Sequence, residues 1–177
     1  TMLDFAHPGD IGVYVSRETL AAREPALLSG QRIHGSELAG AFASLRANEL
    51  VWHYVVNNYL KGEKPPAFDL LYWNGDSANL PGPMYVYYVR SMYLDNKLRV
   101  RGALTMAHES IDLSRVTVPA YIVASRDDHI VPWRSAYRTT RLLGGEKTFV
   151  LGASGHIAGV VNPPEQNRRN YWTSSAL

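Results

Sequence analysis

Two short polar segments of this 177-residue chain carry side chains that could act together as an acid–base pair. Asp127, Asp128 and His129 follow one run of apolar, β-branched residues, and His156 follows a second such run. A carboxylate that accepts a hydrogen bond from one imidazole nitrogen fixes the tautomer of the ring and leaves the other nitrogen free as a base. The pattern therefore predicts general-base chemistry, with Asp128 and His156 as the pair.

The apolar runs before these segments have the composition of buried parallel strands. Residues 118–125 and 147–151 are continuous apolar runs, and a helix-like stretch at 132–143 lies between them. Strand, helix and strand in this order predict a βαβ unit with two parallel strands. Functional groups gather at the carboxyl ends of such strands, and neighbouring strands lie about 4.8 Å apart. We therefore expect the loop with the acid to meet the loop with the histidine.

Two adjacent carboxylates compete for the role of the acid. A single aspartate after a strand is usually a turn or cap residue, and a single histidine beside glycine is usually a surface residue. Their placement after consecutive strands, acid first, favours catalysis over these structural roles. Asp128 is preferred because it precedes the apolar-Val-Pro end of the loop by the spacing found in hydrolases, and Asp127 stays the less favoured alternative.

The nucleophile that such a pair would serve is missing from the sequence. Acid before histidine is the order of the α/β-hydrolases, whose nucleophile lies earlier, on a sharp strand-to-helix turn. That turn reads G-x-S-x-G, or G-x-C-x-G for a thiol, and neither motif occurs in residues 1–177. The chain has no cysteine and opens on TMLDF, which resembles a core strand. We expect a fragment whose nucleophile lies upstream of Thr1.

Composition excludes several other classes of protein. Hydrophobic residues make up 46% of the chain and charged residues 19%, as in a folded domain. The net charge of +2 includes no basic stripe, so no nucleic-acid partner is predicted. No run approaches the roughly 18 apolar residues of a membrane span. No metal site is predicted, because His34, His53 and His108 lack partners at metal-ligand spacing. His7 lies in a loop beside Pro8, and all four of these histidines are predicted to be non-catalytic.

The middle of the chain is distinguished by its aromatic residues. Ten of the nineteen aromatic side chains lie between Trp52 and Tyr93. Helical spacing is found at 18–28, 36–45, 49–60 and about 84–97. Packing of aromatic side chains against a core is the more common explanation, and an aromatic-lined cap over a site is the functional alternative.

Three segments resemble the class I polyhydroxyalkanoate synthases: FDLLYWNGDSANLPGPMY, ASRDDHIVPW and GASGHIAGVVNPP. The similarity extends from TMLDF to the terminal YWTSSAL. It implies an α/β fold, namely a partial α/β-hydrolase fold made of C-terminal core strands and helices with an inserted, mostly helical cap. The implied boundaries are a core strand and loop at 1–9, the cap at 10–100 and the rest of the core at 101–177.

The resemblance also implies an activity. The chain would be the C-terminal portion of an acyltransferase that polymerises 3-hydroxyacyl-CoA into polyester with release of CoA and without a cofactor. Asp128 matches the catalytic acid, His156 the base and His129 a supporting residue, while the nucleophile would be a cysteine upstream. The fragment alone is predicted to be inactive.

The same resemblance implies partners and a location. The partners would be the acyl-CoA substrate, the growing polyester chain, a second copy bound through the cap, and phasin-type granule proteins. The location would be the surface of cytoplasmic polyester granules. Two alternatives stay open. One is an esterase or polyester depolymerase with a serine nucleophile, and the other is a non-catalytic, granule-binding homologue.

Overall fold

A computed structural model describes residues 2–65 and 76–175 of the chain. The chain divides into two compact units. One comprises Arg17–Tyr87, and the other comprises Thr1–Ser16 together with Tyr88–Leu177. The unit Arg17–Tyr87 falls inside the segment predicted as an insertion, and its role as a cap stays a prediction. Residues 68–75 of the first polyhydroxyalkanoate-synthase-like motif lie outside the described residues.

The unit Arg17–Tyr87 contains the helices predicted from apolar spacing. Helix α1 spans Arg17–Leu28 and helix α2 spans Gly35–Leu45. Strand β1 (Arg32–Ile33) pairs antiparallel with β2 (Leu80–Pro81), which leads into helix α3 (Gly82–Tyr88). The buried side chains at the centre of this unit are Leu20, Leu27, Ile33 and Val86.

The segment predicted as a helix at 49–60 is helical, but its winding differs from an α-helix. It consists of two π-helical stretches, Asn48–Trp52 and Val55–Leu60. The wider π turn moves side chains out of the 3.6-residue period, so apolar residues at α-helical spacing no longer share one face. Accordingly, 56% of Trp52 and 83% of Tyr59 are exposed. The helix predicted at about 84–97 begins earlier, as α3, and continues as a π turn at Val89–Leu94.

The second unit is built on a three-stranded sheet. After a short hairpin of β3 (Thr105–Met106) and β4 (Glu109–Ser110), the chain forms β5 (Ala120–Ser125), helix α4 (Trp133–Arg138), β6 (Lys147–Gly152) and β7 (Tyr171–Ser174). The sheet order is β5-β6-β7. Short 3₁₀ turns occupy several connections: Asp10–Tyr14, Lys97–Arg99, Leu113–Arg115, Thr139–Arg141 and Pro164–Gln166.

The predicted βαβ arrangement is present in this sheet. Strands β5 and β6 are parallel, with Ala120 opposite Lys147 and Ser125 opposite Gly152. Strand β7, which pairs antiparallel with β6, was not predicted. All four of its residues are exposed. The strand therefore lacks the alternation of buried and exposed positions on which the prediction of a half-buried strand depends. The helix predicted at 132–143 is shorter than expected, because the α-helical winding ends at Arg138 and tightens into a 3₁₀ turn.

Helix α4 packs on the sheet through a small apolar core. Ala136 is fully buried against Ile122, Ala124 and Phe149. The Tyr137 ring meets the Phe149 ring edge-on, with centroids 5.0 Å apart. Full burial of a side chain such as Ile or Phe contributes about 1.5–3 kcal/mol to stability. This core holds the two parallel strands, and with them the loops at their carboxyl ends, in a defined register.

The opening core strand predicted within residues 1–9 is not found in the described residues 2–5, which pair with no strand. Phe5 is buried beside Met92 and Leu104. The Asn96 side chain forms hydrogen bonds with this segment. Its Oδ1 accepts a hydrogen bond from the Phe5 N–H at 2.9 Å, and its Nδ2 donates to Oδ1 of Asp4 at 2.8 Å. Apolar burial thus explains the strand-like sequence without strand pairing.

Across the described ranges, no helix combines the length and the apolar composition that crossing a bilayer requires.

Candidate active site

The acid lies in a tight loop directly after β5. The backbone N–H groups of Ile130 and Val131 both donate to Oδ1 of Asp128, at 2.8 and 2.9 Å. The N–H of Asp128 itself donates to the carbonyl of Ser125 at 3.2 Å. An aspartate that accepts bonds from its own following backbone forms an Asx-type turn. One carboxylate oxygen is therefore held by the loop, and the other is presented in a fixed direction.

The second oxygen of Asp128 contacts the histidine, as predicted. Nδ1 of His156 lies 2.8 Å from Oδ2 of Asp128. Because a carboxylate only accepts hydrogen bonds, Nδ1 carries the proton in this contact, and in the neutral form of the ring Nε2 has a free lone pair. The side chain of Asp128 is 9% exposed and that of His156 is 44% exposed. The acid is thus shielded, while the histidine is open to a reactant.

Backbone hydrogen bonds continue the β5–β6 pairing into the two loops. The N–H of Arg126 donates to the Gly152 carbonyl at 2.8 Å, and the N–H of Asp127 donates to the Ser154 carbonyl at 2.9 Å. Ser154 has a φ of 126°, a conformation that residues other than glycine rarely adopt. These bonds hold the histidine loop beside the acid loop. The sequence predicted this contact, because the two loops follow adjacent parallel strands.

Asp127, the less favoured candidate for the acid, pairs with Arg126 and not with the histidine. Its Oδ1 lies 3.1 Å from Nε of Arg126, and 55% of its side chain is exposed. The Arg126 guanidinium also lies over the Trp172 ring, 5.9 Å from its centroid. Of the two neighbouring carboxylates, Asp128 is therefore the one that orients His156. Its role in catalysis stays a prediction.

His129 is half-buried in the same loop. Within the described part of the chain, its side chain forms no hydrogen bond with either Asp128 or His156. Its backbone lies inside the Asx-type turn. The supporting role assigned to His129 stays a prediction.

A segment near the N-terminus, which the sequence did not single out, is packed against the acid loop. Oγ of Ser135, at the start of α4, donates to the His7 carbonyl at 2.7 Å. Gly9 has a φ of 77°, and a Cβ there would lie 2.7 Å from Cγ of Pro132. Glycine meets both needs, a left-handed conformation and a close approach. The Pro-Gly pair of the HPGDIG segment was the available signal for this contact.

The described residues contain no group of three histidine or acidic side chains that could hold a metal ion.

Gly159 lies in the histidine loop, and a substitution there tests how closely this loop packs against the end of β5. A Cβ at Gly159 would collide with Oγ of Ser125 and lie 2.7 Å from its Cβ, and Ser125 is only 1% exposed. We expect Gly159→Ala to lower the free energy of unfolding by about 1–3 kcal/mol, as overpacking does. Urea denaturation measures this. The matched control is Gly155→Ala in the same loop, whose Cβ would lie 3.9 Å from its nearest neighbour. Equal unfolding free energies for the two variants would contradict the packing argument.

Comparisons with known proteins show the same fold and relatives that are similar along the chain. A family model for the α/β hydrolase fold matches residues 16–163. The poly(3-hydroxyalkanoate) polymerase subunit of Cupriavidus necator is 53% identical over 182 residues, which cover 100% of this chain and 31% of that protein. The corresponding subunit of Rhizobium meliloti is 44% identical over 176 residues, covering 99% of this chain and 29% of its own length. The chain therefore spans about a third of the length of these relatives, and it is similar to them along its whole length.

Proposed function

Because the chain belongs to the α/β hydrolase fold family and resembles poly(3-hydroxyalkanoate) polymerases throughout, we propose that it is the acid- and histidine-bearing part of such a polymerase. The observation that carries the proposal is the 2.8 Å contact between Nδ1 of His156 and Oδ2 of Asp128. A shielded acid that orients an accessible imidazole is the arrangement needed for a general base.

In the proposed reaction, Nε2 of His156 accepts the proton of a thiol supplied by sequence outside this chain. Asp128 stabilises the resulting imidazolium. The thiolate attacks the thioester carbonyl of 3-hydroxyacyl-CoA, the carbon–sulfur bond to CoA breaks, and the imidazolium returns its proton to the departing CoA thiolate. The products of this step are CoA–SH and an acyl-enzyme thioester.

The second step uses the same imidazole. Nε2 accepts the proton of the 3-hydroxyl group of another acyl unit, and the hydroxyl oxygen attacks the carbonyl of the acyl-enzyme. The new carbon–oxygen bond is the polyester linkage, and the enzyme sulfur leaves and regains a proton from the imidazolium. The two steps return His156 to its starting state, so one oriented base serves both.

The absence of cysteine from this chain makes the proposal testable with the chain alone. We expect purified residues 1–177 to release no CoA from 3-hydroxybutyryl-CoA above background, because a triad without its nucleophile loses about 10⁴-fold or more in rate. Free thiol is measured with a chromogenic disulfide. The positive control is the whole protein that contains this sequence, assayed at the same concentration. CoA release by the isolated chain at a comparable rate would overturn the assignment of an external thiol.

The same preparations separate the alternative functions. An esterase or polyester depolymerase would liberate hydroxyacids from polyester and release no CoA from the acyl-CoA substrate. A non-catalytic homologue would show neither reaction, although it would still bind polyester granules. CoA release coupled to formation of insoluble polyester by the whole protein is the result that the polymerase proposal expects.

The proposal extends to partners and location. The partners are acyl-CoA, the growing polyester chain, phasin-type granule proteins and a second copy bound through the region 10–100, and the site of action is the surface of cytoplasmic granules. Neither a cofactor nor a nucleic acid takes part. Support comes from the similarity to the polymerases and, for the second copy, from exposed apolar side chains within Arg17–Tyr87, such as Trp52, Val56 and Tyr59.

A further inference from the structure

A cavity of about 740 Å³ in the second unit is lined by an unusual number of arginines. None of its lining residues belongs to the acid or histidine loops. It lies where the N-terminal segment, the turn at Lys97–Arg99 and the end of α4 come together. Its ionisable lining residues are Asp4, His7, Arg99, Arg101, Arg138 and Arg141.

The charge of this cavity is strongly unbalanced. Four guanidinium groups face one carboxylate, which leaves three positive charges (4 − 1) without counting His7. Arg101 pairs weakly with Asp112, at 3.7 Å, and 76% of its side chain stays exposed. Among the residues that the structure describes, no carboxylate forms an ion pair with Arg99, Arg138 or Arg141.

The single carboxylate is already engaged with neutral donors. Oδ1 of Asp4 accepts hydrogen bonds from the N–H of Ala6 at 2.9 Å and from Nδ2 of Asn96 at 2.8 Å. Burial opposes ionisation of Asp4, but these two bonds and the positive charges of Arg99 and Arg138 hold its pKa below the ordinary value. Arg99 and Arg138 line the same cavity as this carboxylate, although they come from distant parts of the chain.

Gathering guanidinium groups from separate elements is unfavourable unless an anion balances them. Like charges repel, and the repulsion is stronger where the surroundings are less polar than water. Arginine cannot lose its charge near neutral pH, so the repulsion is not relieved by deprotonation. Its planar fork of N–H donors matches the oxygens of a phosphate, often with two parallel hydrogen bonds.

We propose that this cavity binds a ligand that carries two or more phosphate groups. Its volume falls within the range of about 300–1,000 Å³ that is typical of small-molecule sites. Two sources offer this chemistry. One is the phosphate-bearing nucleotide end of coenzyme A, an assignment that rests on the proposed function. The other is a free polyphosphate ion. In the first case the long pantetheine arm would separate the bound phosphates from the thioester.

Isothermal titration of the full chain with three probes tests the proposal. The probes are inorganic pyrophosphate, coenzyme A and pantetheine, which lacks the phosphates. We expect saturable binding of pyrophosphate that weakens as NaCl is raised, because screening reduces charge–charge attraction. Coenzyme A binding without pantetheine binding assigns the site to the substrate. Pyrophosphate binding alone assigns it to a free anion. Because the probes contain no thioester, the result does not depend on whether the proposed acyl transfer occurs.

Charge-matched variants distinguish a built site from a general excess of positive charge. The double variant Arg138→Gln, Arg141→Gln should raise the Kd for pyrophosphate at least tenfold. The double variant Arg115→Gln, Arg168→Gln removes the same charge from exposed positions outside the cavity and should change Kd less than about twofold. Should the first double variant unfold, Arg99→Gln tests the same cavity without altering α4. Failure of pyrophosphate and coenzyme A to bind, or equal weakening in both double variants, would overturn the proposal.

Discussion

Replacing His156 by alanine in the whole protein is expected to lower the rate of CoA release from 3-hydroxybutyryl-CoA by about 10⁴-fold or more. His156 is the one imidazole whose Nδ1 is held by Asp128, and its Nε2 is the base for both proposed steps. Without it, the thiol stays protonated and the attacking hydroxyl has no proton acceptor. The rate is measured with purified protein under saturating substrate.

The loss should be catalytic and not structural. The side chain of His156 is 44% exposed, so its removal leaves no buried cavity, and the thermal unfolding midpoint should stay within a few degrees of the parent value. His53→Ala is the matched control, because His53 is also exposed and its side chain contacts Asn57 at 3.2 Å instead of a carboxylate. Full activity of the His156 variant would remove this residue from the mechanism.

Asp128→Asn should reduce the rate by a similar order, about 10³- to 10⁴-fold, through the tautomer of the histidine. The asparagine Oδ1 can still accept the bonds from Ile130 and Val131, so the loop should keep its shape. Its amide group then faces His156 and donates to Nδ1. The imidazole proton is thereby moved to Nε2, which can no longer act as a base.

The neighbouring aspartate provides the control for this substitution. Asp127→Asn makes the same chemical change one residue earlier, at a carboxylate that pairs with Arg126 and not with the histidine. Exposed ion pairs contribute about 0–1 kcal/mol, so we expect less than a fivefold effect on the rate. If Asp127→Asn were the more damaging of the two variants, the assignment of the acid would be reversed.

The acid–histidine contact could be predicted because each of its parts is local. A run of apolar, β-branched residues indicates a buried strand, and two such runs separated by one helix indicate adjacent parallel strands. The residues at their carboxyl ends must then lie close together, whatever the rest of the chain does. The observed pairing of Ser125 with Gly152 places Asp128 and His156 within hydrogen-bonding distance for this reason.

Only the structure shows which of the two aspartates contacts the histidine. Both lie in the same loop, and only the path of the backbone determines which carboxylate receives the N–H groups of Ile130 and Val131. The π-helical winding at Val55–Leu60 was also beyond the sequence, because apolar spacing indicates a helix but not its hydrogen-bonding pattern. The strand predicted within residues 1–9 is not paired in the described residues 2–5, and the sequence could not decide this, since a buried Phe5 has the same sequence signal with or without a paired strand.

By itself, the sequence determined the α/β character of the sheet, the positions of its two parallel strands and the two loops at their carboxyl ends that carry the aspartates and the histidine. These depend on contacts between segments that follow one another along the chain. The tertiary structure alone decided the arginine-lined cavity, whose side chains come from residues as far apart as Asp4 and Arg141. No local sequence pattern predicts such a cavity. Charged residues that are widely spaced along a chain have the sequence pattern of ordinary surface residues, and only folding brings them together.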